Sequence, residues 1–216
     1  MAQSYSIEVN KEQVQDAISL FKFVGGNSAD AVRIAINKSM TPVRQKVSDA
    51  IRSQVRLKAG YVKDRKNLRV VKASRQKLNG KISANSRGLL MTRYSTDAKI
   101  ANYDGPWQGP APPVPARGIR VKIKPSGSTK NLSSDKTKPA PFYMVFKNKA
   151  LGIVRRRGAD EIGPRGGTIK VYNAPSLSQV FNTVRDDVLP EAANIYQKQL
   201  LDAMRYLLQK QYPPET

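Results

Sequence analysis

Neither cysteine nor histidine occurs among the 216 residues. That double absence excludes thiolate zinc centres, cysteine nucleophiles, imidazole general bases and Ser-His-Asp triads, since each needs a side chain the sequence does not supply. Disulfides are excluded as well, so cysteine usage says nothing of the redox compartment. No apolar run approaches the roughly 20 residues needed to span a bilayer. The N-terminus "MAQSYSIEVN" lacks the basic-then-apolar order of a secretory signal. The expectation is a soluble protein that stays where it is made or is built into a larger assembly.

Negative charge is also scarce. Sixteen acids face thirty-eight lysines and arginines, for a net charge of +22. Self-repulsion on that scale calls for an anionic partner, nucleic acid before acidic protein or membrane surface. The charge is zoned: residues 1–30 carry two basic and four acidic groups and residues 177–216 four and five, whereas residues 31–95 carry seventeen and two. A zoned chain presents a cationic surface to something particular.

The apolar pattern alternates between helix and strand. Tyr5, Ile7 and Val9 alternate as in a short strand, and Asn10 caps a helical pattern through Val14, Ala17, Ile18 and Phe21 that Gly25-Gly26 ends. Val32, Ile36, Met40, Val43, Val47 and Ile51 form one stripe of a longer helix, in which Pro42 predicts a kink or a restart, with Ser39 or Thr41 helping to satisfy the freed groups. Residues 68–72 and 81–86 read as two strands of a basic arm bearing Arg69, Lys72, Arg75, Lys77 and Lys81, with Asn79-Gly80 as its hairpin turn. Such an arm lacks a large apolar face and is expected to lie on a neighbouring subunit or a polyanion.

Residues 97–141 are rich in Pro, Gly, Ser and Lys and read as a long, partly flexible insertion with an extended piece at 119–124. Trp107 within it suits a subunit anchor or local packing. Residues 142–146 and 151–155 form a hairpin across "KNKA", and 168–172 add a strand. Ser176 then caps a helical face through Phe181, Val184, Val188, Ala192, Ile195, Gln199, Ala203 and Leu207, which Pro190 is expected to divide into two helices. The fold class expected is α+β: a mixed or antiparallel sheet of hairpins flanked by a kinked N-terminal helix and C-terminal helices, in a single domain over 1–216.

Recognised catalytic motifs fail. No GxxxxGK[ST] or GxGxxG occurs, and "GPRGG" at 163–167 lacks the strand-to-helix setting of a phosphate cradle. Asp160-Glu161 is the nearest approach to a metal-binding carboxylate pair, but it occupies an expected hairpin tip. No catalysis, cofactor, metal or small-molecule substrate is expected; an enzyme on DNA would need those two acids. Helix-turn-helix, zinc-finger and RNA-recognition signatures are missing too. Cations scattered over helix, hairpin and loop suit phosphate contacts without sequence readout.

The segments "AINKS" and "VRQKV" within residues 35–47, and the run from "RRG" to "APSLSQVF" within 156–181, resemble the minor tail protein Z family of long-tailed bacteriophages, also called tail completion proteins. Pro42 and Asn173-Ala174 depart from the family pattern, and 97–141 lies outside the resemblance. What the resemblance implies is a virion protein assembled in the host cytoplasm, placed at the head-proximal end of the tail between tail terminator and head connector. It further implies a homo-oligomeric ring, most simply a hexamer, around double-stranded DNA.

On that reading Arg155, Arg156 and Arg157 of "LGIVRRRG", with Lys63, Arg65, Lys66 and Arg69, are candidates for phosphate contact in the lumen. Strand alternation puts Arg155 and Arg157 on one face and Arg156 on the other. The competing explanation is a salt-bridged subunit interface using Asp186, Asp187 and Glu191, with Trp107 as a further interface candidate. A free, non-sequence-specific nucleic-acid-binding protein of the ribosome- or nucleoid-associated type is the alternative to the virion reading.

Overall fold

A computed structural model describes residues 28–103, 105–133, 137–158, 161 and 168–211. The strand and helix expected within 5–24, the acid Asp160 and the "GPRGG" loop fall outside them. The architecture is α+β, with long helices at the two ends of the described chain and small antiparallel sheets between them. The chain divides into two compact units, the first built from residues up to Ile51, Ala59–Ser86 and Ser178 onward, the second from Arg52–Lys58 and Arg87–Leu177.

In the first unit, α1 (Ser28–Gln54) buries Val32, Ile36, Val43, Val47 and Ile51, the expected stripe, with Met40 half-buried among them. Pro42 lies inside this helix without ending it. Buried residues on both sides of the proline keep the 3.6-residue period, so tertiary packing holds the helix through the missing hydrogen bond. Ser39, buried beside it, donates its hydroxyl to the Ile36 carbonyl at 2.8 Å. The short α2 (Ala59–Val62) then leads into a hairpin of β1 (Leu68–Val71) and β2 (Lys81–Ala84).

The closing helix α4 (Leu177–Gln211; the short α3 belongs to the second unit) runs 35 residues, again continuing through a proline. Pro190 is exposed, as is Asp186, whose carbonyl loses its helical partner to the proline ring. The two expected helices are therefore one. The buried face is also corrected beyond that point: Tyr196 and Leu200 are 3% and 4% exposed, while the expected Ile195 and Gln199 are only half-buried. Ala31, Ala35 and Ala203, each 0% exposed, let the start of α1 and the end of α4 approach closely around Val32, Ile36, Tyr196 and Leu200. Lys46 pairs with Glu191 farther along, so α1 and α4 run antiparallel.

In the second unit β7 (Leu151–Arg156) is the centre of a three-stranded antiparallel sheet, between β6 (Phe142–Val145) and β8 (Ile169–Val171). Its first five residues are buried. The β6–β7 turn follows the expected "KNKA", with Lys149 at φ 61. Smaller pairs complete the unit: β3 (Leu89–Leu90) with β9 (Asn173–Ala174), and β4 (Arg120–Val121) with β5 (Lys130–Asn131). A 3₁₀ turn (Met91–Tyr94) and α3 (Ala98–Ala101), capped by the Asp97 carboxylate, lie between β3 and β4.

Within 97–141 the extended piece is anchored by Ile119 and Val121, 0% and 1% exposed. Gly118 turns the chain at φ 75, where a Cβ would also lie 2.7 Å from Asn131 Oδ1. Trp107 is half-buried and held locally: its backbone N–H donates to Lys149 O at 2.7 Å, its indole N–H to Pro110 O at 3.0 Å, and its ring meets Tyr103 edge-on at 5.4 Å.

Candidate nucleic-acid interface

The hairpin of the first unit sorts its residues by strand alternation. Leu68 pairs with Ala84 and Val70 with Ile82 on one face; Arg69 pairs with Ser83 and Val71 with Lys81 on the other. Leu68 and Ile82 are each 1% exposed, and Ala73, just past β1, belongs to the core formed with α1 and α4. Asn37 of α1 clamps that point twice, donating to Ala73 O at 3.1 Å and accepting from Ala73 N at 2.8 Å. The hairpin thus packs on its own chain, contrary to the expectation that it would need a neighbour. Alternation supplies the apolar face that composition concealed.

The turn is corrected as well. Residues 72–80 form a nine-residue loop, and neither Asn79 nor Gly80 has positive φ. Gly80 serves close approach instead, since a Cβ there would lie 2.6 Å from Ile36 Cγ2 and 2.7 Å from Met40 Cε.

Residues 63–67 form a braced turn ahead of β1. The Asp64 carboxylate accepts the Lys66 N–H at 2.7 Å, its carbonyl accepts those of Asn67 and Leu68 at 2.9 Å, and the Asn67 side chain donates to Tyr61 O at 2.8 Å. The Lys63 carbonyl accepts from Arg44. Residues 63–81 therefore carry eight cations and one acid, and that acid is occupied with backbone. Arg65, Lys66, Arg69, Lys72 and Lys77 are exposed, and none forms an ion pair among the described residues. Lys63 is half-buried, and Arg75 lies 3.8 Å from Asp30, which also holds Arg33.

The triple arginine behaves differently. Arg155 is 3% exposed; its Nη2 pairs with Glu161 Oε1 at 2.5 Å and its Nη1 donates to Arg156 O at 3.2 Å. The Arg155 guanidinium is thus enclosed and paired within its own chain, unlike the open cations of the hairpin. Arg157 is half-buried and sends Nη1 toward Glu161 O at 3.5 Å, while Arg156 is exposed. Alternation was therefore correct, but the acid that answers it is Glu161 of the same chain. The other expected acids are engaged locally or open to water: Glu191 with Lys46, Asp186 with Arg185 at 2.9 Å, and Asp187 exposed.

Among the described residues no three acids gather as a metal site would require, and no helix is long and apolar enough to cross a membrane. No family model, curated protein or solved structure matches this chain.

Proposed function

We propose that this protein is a structural, non-catalytic component that holds duplex DNA by its phosphates, acting as a ring subunit at the head-proximal end of a phage tail. The observation that carries the DNA contact is the 63–81 surface, where eight cations meet one backbone-bound acid on a braced turn and a packed hairpin. Cations carried on a rigid backbone suit phosphate contact, because little backbone freedom remains to be lost when the polyanion arrives. The virion setting, with tail terminator and head connector as neighbours, rests on the resemblance alone.

A second reading, a free nucleic-acid-binding protein, gains from one feature: the hairpin is ordered by its own helices, so no ring is needed to hold it. Mass photometry of the purified chain, alone and with tail partners, separates the two. Closed rings support the neck reading, and a chain that stays monomeric or dimeric under both conditions sinks it. Two unrelated duplexes should bind with equal affinity and equal, steep salt dependence; a preference for one of them would refute contact through phosphates alone.

A further inference from the structure

The second unit carries a cationic row of its own. Between Asp104 and Asp135 the sequence has five cations, Arg117, Arg120, Lys122, Lys124 and Lys130, and no acid. Three of them alternate with Ile119, Val121 and Ile123 along the extended piece that contains β4. Ile119 and Val121 are 0% and 1% exposed, so alternation turns Arg120, Lys122 and Lys124 to the opposite side. Arg120 and Lys124 are exposed there, and Lys122 is half-buried.

The backbone beneath this row is held along both edges. On one, Lys122 N–H donates to Tyr94 O at 2.8 Å and Arg120 O accepts from Thr96 N at 3.0 Å; on the other, Ile119 O accepts from Leu132 N at 2.8 Å and Ile123 O from Arg56 N at 2.7 Å. The side chains are open by contrast. Arg120, Lys122 and Lys124 make no side-chain hydrogen bond or ion pair among the described residues. Other cations of this unit are used internally, Arg155 in its pair with Glu161 and Arg93 over the Tyr103 ring at 4.4 Å. Asp97, next to Thr96, spends its carboxylate on the start of α3, accepting from Lys99 N at 2.9 Å and Ile100 N at 3.4 Å. Side chains two apart on an extended strand stand about 6.6 Å from each other. Each strand of a duplex places one phosphate per about 3.4 Å of axis, and because it winds around that axis its phosphates stand about twice as far apart along the strand. A row of three cations at that step matches three successive phosphates.

We propose that Arg120, Lys122 and Lys124 form a second phosphate-binding face, which follows one backbone of a nucleic-acid duplex. The inference rests on the reading of the protein as one that holds duplex DNA, and it adds residues of the second unit to a contact otherwise confined to the first.

Changing Arg120→Gln, Lys122→Gln and Lys124→Gln together removes the charge and keeps most of each stem. Fluorescence anisotropy on a blunt duplex should show the slope of log affinity against log salt becoming shallower by about 2.7. Removing the same charge from α4, at the exposed Lys198, Arg205 and Lys210, should leave the slope nearly unchanged. Equal slopes for wild type and the 120–124 variant, or the same shallowing in both variants, overturns the proposal. A wild type that binds no duplex fails the DNA reading itself and this inference with it, whereas a wild type that binds with a slope indifferent to the 120–124 changes fails this inference alone. Where the triple variant does not fold, the wild type carries the test through lysine acetylation read by mass spectrometry. Added duplex should slow modification of Lys124 and not of Lys198, and a Lys124 that stays equally reactive overturns the face.

Discussion

Replacing Arg65, Lys66 and Arg69 together by alanine strikes the proposed phosphate surface where it is most open. All three side chains are exposed, none is ion-paired among the described residues, and none contributes to the core. Surface changes of this kind usually alter stability by no more than about 0.5 kcal/mol each, so the variant should fold. On B-form duplex each phosphate contact adds about 0.9 to the slope of log affinity against log salt. Three lost contacts should make that slope shallower by about 2.7. Between roughly 50 and 200 mM salt the wild type should then lose about 40-fold more of its affinity than the variant does. Fluorescence anisotropy on two labelled duplexes of unrelated sequence reads this directly, and both should lose the same slope. A slope change below about 1 means that at most one of the three cations reaches a phosphate, which refutes this face as the contact surface. A loss confined to one duplex refutes binding through phosphates alone.

Three further perturbations test the packing beneath this surface and the Arg155–Glu161 pair. Gly80→Val sets a Cβ 2.6 Å from Ile36 Cγ2; the Met40 tip can swing aside but the β-branched Ile36 cannot, so urea unfolding should register a loss of about 1–3 kcal/mol, and unchanged stability would contradict the close approach. Tyr196, pushed up to about 12 by burial, stays neutral in the fold while the unfolded phenol ionises near 10. Stability should be full below the lower value and fall as pH rises toward the upper one, and Tyr196→Phe should remove that alkaline decline in a pH series of thermal melts. The depressed Glu161 carboxyl gives the opposite sign: its contribution is present above the unfolded value of about 4.3 and is lost as pH falls through the folded one. Wild type and Glu161→Gln should therefore differ in stability at neutral pH and converge in acid, and a constant difference across the series would exclude the ion pair as its cause.

Legibility in the sequence followed the range of the forces involved. The α1 stripe was readable because Val32, Ile36, Val43, Val47 and Ile51 repeat at helical spacing over five turns, and burial follows that spacing. The break expected at Pro190 and the restart considered at Pro42 do not occur, because a local rule about one missing hydrogen bond competes with the packing of residues on either side. The one-residue shift of the α4 face to Tyr196 and Leu200 depends on which side meets α1, and no periodicity within α4 contains that information. Gly80 was assigned to the hairpin through turn chemistry, while its cause is a contact with a helix forty residues earlier. Strand alternation foretold that Arg155 and Arg157 act together. Their partner was hidden because Glu161 had been weighed only beside Asp160, as half of a carboxylate pair.

The hairpin binds stability and charge to one register. Leu68 and Ile82, which anchor it, alternate with Arg69 and Lys81, which carry its charge, so the two sets occupy opposite faces of the same four-residue strands. A slip of one residue would turn Arg69 and Lys81 inward and expose Leu68 and Ile82. That alternative buries guanidinium and ammonium groups away from water, which costs far more than the apolar contacts could return. The Asn37 clamp on Ala73 and the absence of a Cβ at Gly80 pin the same register from both ends of the loop. The exposed cations are therefore held in place by the core beneath them. A mutation that loosens that core, such as Gly80→Val, should weaken DNA binding as well as the fold, although it removes no charge.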